Sequence, residues 1–377
     1  MASSFVSKTY NHFENVTDPR VNRGNNYPLI EMIFVTLCAC ISDADGWADV
    51  ERYGKAKLAW LRKYFPFDNG IPSHDTFGLV FSRLDTVEFY ASLQNWANDI
   101  SQSLDGQTVA FDGKTLRGSH DKYRGKSALH SVSAWVCGLR MCIGLKSVDD
   151  KSNEIPAVQE LIDVIDLKGA VVTADAMHCQ TETAKAIIDK EADYILMVKG
   201  NQPTLQDALH DAIINAMEND DPKVRRSFNK EINRGRVETR EVIVQPIPKD
   251  SAAFANWAGI KSIGAIHRTR EVNGKLEEST ETFISSREPK VRDIARRIRE
   301  HWSVENQQHY ILDVTFSEDA SRIRNGNSPE ISSVFRRLAL NILQRDTTIK
   351  DSIRGKRKRC AWDNSAIEKL IANFSSN

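Results

Sequence analysis

Three carboxylates stand at positions where a chain folded in water has no ordinary use for them. Asp112 ends the alternating run TVAFD, Asp175 ends the apolar run GAVVTAD, and Glu305 sits in HWSVENQQHY among histidines and a tryptophan. Side chains turn about 100° per residue around a helix. Ile294, Ile298 and Trp302 therefore form one apolar stripe, and the same count puts Glu305 inside it, with His301 and His309 on either side. An inward glutamate costs free energy unless its charge is compensated. For one such residue an arginine or histidine partner suffices; for three acids sharing a cleft a divalent cation is needed. Carboxylate oxygens suit Mg²⁺, or Mn²⁺ in its place, and leave positions for water and phosphate. Two such ions about 3.5–4 Å apart clamp a phosphodiester for in-line attack. Each aspartate also has a plainer reading: Asp112-Gly113 as a hairpin turn, and Asp175 as a helix cap, although Thr181 lies closer to TETAK.

Polar residues cluster near these acids. Lys114 and Arg117 follow Asp112, and His178 and Gln180 follow Asp175. Lys199, Asn201 and Gln202 end the apolar run YILMV. Arg297 and His301 precede Glu305 in the basic stretch REPKVRDIARRIREH. Each is expected to contact DNA phosphate or orient water; the competing readings are exposed loop residues, turn chemistry and a solvated helix face.

The elements that would position these groups follow from periodicity. Helices are expected over 28–43, 47–65, 73–84 and 86 to about 104, with Ser73 as an N-cap. The turn DNGIPS before the third suits either a helix-turn-helix or one more bundle helix. From residue 107 the texture becomes strand-rich: TVAFD, then HSVSAWVC and RMCIGLKSV as a hairpin about Gly138-Leu139. Helix and strand then alternate through 155–198, giving a mixed sheet covered by helices. Residues about 225–285 return to strand texture and read as an insertion before a helix over 290–309. A last apolar helix at about 328–345 precedes the basic tail IRGKRKRCAW. The expected division is an all-α N-terminal domain (1–104), an α/β catalytic domain (105–345) and a basic C-terminal tail (346–377).

Composition narrows the class. The 377 residues are 41% hydrophobic and 27% charged, an ordinary globular balance. The 51 basic residues equal the 51 acidic ones, so any nucleic-acid surface is local. The apolar run 29–41 is too short to span a bilayer and carries Glu31, so no membrane partner is expected. The N-terminus lacks a secretion pattern. Six cysteines without C-x-x-C spacing fit a reduced cytoplasmic protein with no structural zinc site.

FDGKTLRGS, TADAMHCQ, YILMVKGNQ and HWSVENQQHYILDVTFSED resemble the sequence blocks of bacterial H-repeat-associated insertion-sequence transposases, of the DDE group. DPRVNRGNNYPLIEMI and GIPSHDTF resemble that family's N-terminal associated domain. The resemblance runs from about Val16 to Trp362. It implies a ribonuclease H-like mixed sheet flanked by helices, with Asp112, Asp175 and Glu305 as the catalytic, metal-holding acids. It further implies Mg²⁺-dependent endonucleolytic cutting at transposon ends and strand transfer into target DNA. The implied partners are double-stranded DNA, as terminal inverted repeats and target, bound by a homodimer at the bacterial nucleoid in the cytoplasm. The wider signature of related transposases puts Tyr, Arg and Lys where this chain has Ile298, His301 and Leu312, so those phosphate-handling roles do not carry over. Beside transposition stand two further readings: a ribonuclease H-fold nuclease without strand transfer, and a non-catalytic DNA-binding relic.

Overall fold

The computed structural model describes residues 2–20, 26–100, 103–120, 125, 127–148, 154–233, 235–248 and 251–376. The chain opens with helices α1 (Ala2–Phe13), α2 (Leu29–Ile41), α3 (Trp47–Leu61), α4 (His74–Phe81) and α5 (Thr86–Ile100). Then come β1 (Thr108–Leu116), β2 (Leu129–Val136), β3 (Met141–Val148), α6 (Glu154–Val164), β4 (Val171–Ala174), α7 (Thr181–Asp189) and β5 (Asp193–Val198). Next are α8 (Pro203–Glu218), β6 (Arg225–Asn233), β7 (Arg236–Pro246), β8 (Ser262–Val272), β9 (Lys275–Ser285) and α9 (Val291–His301). A π-helical turn (Glu305–His309), α10 (Tyr310–Val314), α11 (Ser328–Arg345), α12 (Ile353–Trp362) and α13 (Asn364–Ser376) complete it. These fall into two compact units, one of Ser103–Asp112 with Glu154–Val304, the other of Met1–Gln102, Gly113–Asn153 and Glu305–Asn377.

The first unit is built on a large mixed sheet in the order β1-β4-β5-β9-β8-β7-β6. Strands β1, β4 and β5 run parallel, as the apolar runs VVTA and DYILMV, buried throughout their central residues, require. Helix α9 lays Ile294 and Ile298 on a core made by Val171, Ile195, Met197, Val242, Ile266 and Phe283. The strands of 225–285 are present with the expected bounds, between α8 and α9. Strand β9 pairs antiparallel with β5, from Ile195 opposite Ser285 to Val198 opposite Thr282, so they widen the same sheet. Their far ends leave the core: Phe228, Ile232 and Leu276 are 66%, 72% and 59% exposed. Helix α8 went unread in the sequence although Pro203 starts it and Leu205, Leu209 and Ile213 bury at helical spacing.

The second unit centres on α2 and α11. Residues Glu31 through Ile41 of α2 are all buried, and Glu31 accepts the backbone N–H of Phe67 at 2.9 Å. Ser73 caps α4 as expected, accepting the Thr76 N–H. The connection between α3 and α4 spans residues 62–73, far longer than the three- or four-residue turn of a helix-turn-helix, so the bundle reading holds. Strands β2 and β3 form the expected antiparallel hairpin. Helix α11 occupies 328–345 as read and buries Ser328 through Leu343 apart from Glu330.

The basic tail is replaced by α12 and α13. Lys356 is buried and donates to the Leu343 carbonyl at 2.9 Å, with Asp346 at 3.2 Å. Arg357, fully buried, donates to the Cys40 and Ala44 carbonyls at 3.2 Å each and lies 4.1 Å over the Phe316 ring. These charges fasten helices together instead of reaching outward. All six cysteines are buried free thiols, burial pushing Cys179 and Cys360 up to about 12. Among the described residues no helix is long and apolar enough to cross a membrane.

The Glu318–Arg337 pair, 2.8 Å apart and wholly buried, sets a test. Burial raises the Glu318 carboxyl, but Arg337, Arg336 and Lys114 outweigh it and hold it below its ordinary 4.5. Arg337→Met is expected to lower unfolding stability by about 3–5 kcal/mol, since it strands a buried charge; denaturant titration measures it. Because the folded carboxyl is depressed, its contribution is present above the unfolded value and fades as pH falls below it. Glu318→Gln should flatten that part of the acid limb.

Candidate active site

The pairing of β1 with β4 decides the geometry. The register runs Thr108–Val171, Val109–Val172, Ala110–Thr173 and Phe111–Ala174. Asp112 and Asp175 are the next residue of each chain, and Asp175 continues in extended backbone (φ −62°, ψ 161°). Parallel neighbours lie about 4.8 Å apart and share side-chain direction at equal register. The two acids are thus side by side at the carboxyl-end side of β4. Asp112 does not end its strand as expected, since β1 continues to Leu116; Asp175 does follow the end of its own.

His301, at the last turn of α9, faces Asp175. Its Nδ1 lies 3.0 Å from the Thr173 hydroxyl and its Nε2 3.5 Å from Asp175 Oδ1. The tautomer in which Nδ1 accepts from Thr173 leaves an Nε2 proton for the carboxylate. The bond from His301 lowers the Asp175 carboxyl, against the opposing effect of burial. Apolar packing of Ile294 and Ile298 aims the imidazole, because His301 falls on their side of α9 and is 7% exposed. Trp302, expected in that stripe, is 41% exposed instead, with Arg268 stacked 4.3 Å over its ring.

Glu305 also departs from the count. The helix is interrupted at Trp302, and Glu305 opens a wider π-helical turn over Glu305–His309, where it is exposed and not inward. In the same unit the buried Gln308 side chain pairs with the Ser133 hydroxyl, with contacts of 3.2 and 3.4 Å. Gln344 donates to the Gln307 carbonyl at 2.8 Å.

The remaining candidates divide. Asn201 donates to the Ala176 carbonyl at 2.8 Å, and Gln202 to the Cys179 carbonyl at 3.0 Å and Gln180 Oε1 at 3.2 Å. Gln180 in turn donates to the Met177 carbonyl at 3.1 Å. These amides brace the loop after β5 against the loop carrying Asp175. Lys199 is 58% exposed and pairs with Glu281 at 2.9 Å. Arg117 is 85% exposed, with Asp319 at 3.7 Å.

Three further candidates are buried and paired within the protein. His178 is 1% exposed, 3.7 Å from the buried Glu154, and its burial lowers its pKa. Arg297 is buried against Asp293 at 3.1 Å, the Gly106 carbonyl at 3.3 Å and the Thr108 hydroxyl at 3.1 Å. Lys114 is 8% exposed and ion-paired with Asp313 and, at 3.7 Å, Asp319. Each is committed to the interior, where desolvation favours fixed partners over a mobile phosphate. Sequence reading passed over Thr173 and Gln344. The one signal for Thr173 was its place two residues before Asp175 on a buried strand.

The transposase DDE domain family matches residues 103–342, and the domain family associated with it matches residues 10–97. The chain is 37% identical over 375 residues to "Putative transposase YncI" of Escherichia coli O157:H7, covering 98% of this chain and 96% of that one. It is 35% identical over 376 residues to "H repeat-associated putative transposase YhhI" of Escherichia coli strain K12, covering 97% and 98%. A solved synaptic complex of piggyBac transposase with hairpin DNA aligns with TM-score 0.40 and 11% identity over 99% of this chain and 76% of that one, too weak a likeness to bear on fold or function.

Removing the imidazole tests the electrostatics. In His301→Ala the Asp175 carboxyl is expected to titrate at higher pH than in the unmutated chain, and in His301→Gln by a smaller rise. Carbon-13 NMR of the labelled carboxyl measures both.

Proposed function

We propose that this chain, which belongs to the DDE transposases as one of the H repeat-associated group, cuts DNA at the ends of its own element and joins the freed 3′-hydroxyl to target DNA. The observation that supports the reading is the parallel register of β1 on β4, which ends with Phe111 opposite Ala174, the residues just before Asp112 and Asp175. Two hard carboxylates suit an oxygen-seeking divalent ion such as Mg²⁺ or Mn²⁺. Asp112, Asp175 and Glu305 would hold Mg²⁺, or Mn²⁺, which when bound supplies Lewis acidity toward a phosphodiester.

The protein's own part is to arrange and orient. His301 fixes the Asp175 carboxylate and keeps it ionised. Asn201 and Gln202 hold its loop rigid, so that the two aspartates present a preformed oxygen pair. Glu305, itself exposed, would complete the acidic set. Arg117 and Lys199 are the exposed cations for flanking phosphates, with terminal inverted repeats and target duplex as the DNA, bound by a homodimer. Residues 1–104 form the DNA-associated domain ahead of the catalytic one.

The experiment uses a labelled duplex carrying the repeats that flank the gene. With Mg²⁺, cleavage at the repeat end is expected, and Asp112→Ala should lower it by about three orders of magnitude or more, as for other groups that act as a set. Pre-cut ends should join to a supercoiled target. Cutting without joining would leave a nuclease; cutting unaffected by Asp112→Ala would end the reading. Arg117→Ala should weaken duplex binding across all sequences and reduce its salt slope by about one, seen by fluorescence anisotropy.

A further inference from the structure

The π-turn brings a second donor type to Glu305. Glu305 opens the turn and His309 closes it, and each offers one ligand atom within 4.8 Å of the other. Ligands on an octahedral ion with bonds of about 2.1 Å sit about 3 Å apart when adjacent and about 4 Å when opposite. A small rotation of the exposed Glu305 side chain covers the difference, whereas His309, 8% exposed, is held by the interior. In an α-helix the five residues would be wound more tightly, and a π-turn in such a place commonly marks a functional position. The turn's shape is imposed from outside the pair. Gln308 is pinned to Ser133 on β2, and the Gln307 carbonyl is taken by Gln344 on α11.

We propose that His309 is a nitrogen ligand of the divalent ion held by Glu305, and that it makes the site prefer Mn²⁺ to Mg²⁺. The proposal rests on the reading of Glu305 as a metal-holding acid and goes beyond it. Mg²⁺ takes oxygen donors almost exclusively and gives up its water reluctantly. Mn²⁺ accepts the same carboxylates and is the softer of the two toward imidazole. A buried histidine beside the exposed glutamate therefore adds affinity for one ion and little for the other. A purely carboxylate site would lack this discrimination.

The full-length protein is titrated with Mn²⁺ alone and Mg²⁺ alone by calorimetry, and the Mn²⁺-loaded protein is examined by electron spin echo spectroscopy. Nitrogen-14 modulation from a coordinated imidazole is expected in the unmutated chain and lost in His309→Gln. The same substitution should cut the Mn²⁺-over-Mg²⁺ affinity ratio about tenfold, within the range for groups around a metal. The spectroscopic signature needs no substitution, so a poorly folding variant does not spare the proposal. Absence of the nitrogen signal in the unmutated chain, or its survival in His309→Gln, overturns it. Glu305→Gln separates the two layers. If it weakens both ions while His309→Gln changes nothing, the carboxylate reading stands and the nitrogen ligand falls. If Glu305→Gln weakens neither, the glutamate is not a ligand and both fall.

Discussion

Two like charges held at one level of adjacent parallel strands form the constraint on which the first unit is organised. At about 5 Å a pair of carboxylates repels by roughly 1 kcal/mol in water and several-fold more at a partly shielded surface. Something must offset that. At Asp175 it is His301, and His301 is there because Ile294 and Ile298 bury on the sheet. Burial of such side chains is worth about 1.5–3 kcal/mol each, enough to hold one imidazole against one acid. Arg297 carries the same logic to the root of β1, bonding Thr108 and the Gly106 carbonyl while paired with Asp293. Apolar packing thus fixes the electrostatics, and the reverse dependence is weak.

The pattern of charge explains why so few basic side chains face outward near the acids. With 51 positive and 51 negative residues the chain has no surplus to spread over its surface. Lys114, Arg297, Arg337, Lys356 and Arg357 are all buried and paired or bonded to carbonyls. Even the exposed Lys199 shares Glu281 with Arg268, which in turn covers Trp302. Contact with a polyanion would be local and sensitive to salt.

Much of this was legible in the residues. Period-two and period-3.6 patterns placed β1 through β5 and α2 through α7, and α11 to the residue, because these elements bury apolar side chains on a fixed repeat. The two aspartates were legible for the same reason: a charged residue at the end of an apolar run interrupts a strong pattern. Glu305 is exposed where the residue count put it inward, since the break at Trp302 and the π-turn leave no mark in spacing. The partners of Lys114, Arg297 and Arg357 were invisible, because an arginine bound to a distant carbonyl reads like one in water. The strands of 225–285 were legible as an insertion by their texture, but their joining the same sheet through β9 on β5 was not, because long-range pairing has no local signature.

The last helices have a bearing on how the protein is made. Arg357 closes onto the Cys40 and Ala44 carbonyls at the end of α2, and Trp60 of α3 donates to Glu368 at 2.8 Å. The N-terminal bundle is therefore unfinished until α12 and α13 have been synthesised. Until then part of the apolar length of α2 waits uncovered, a natural client for chaperones. A gene copy cut short by a late stop codon would leave that surface bare for good.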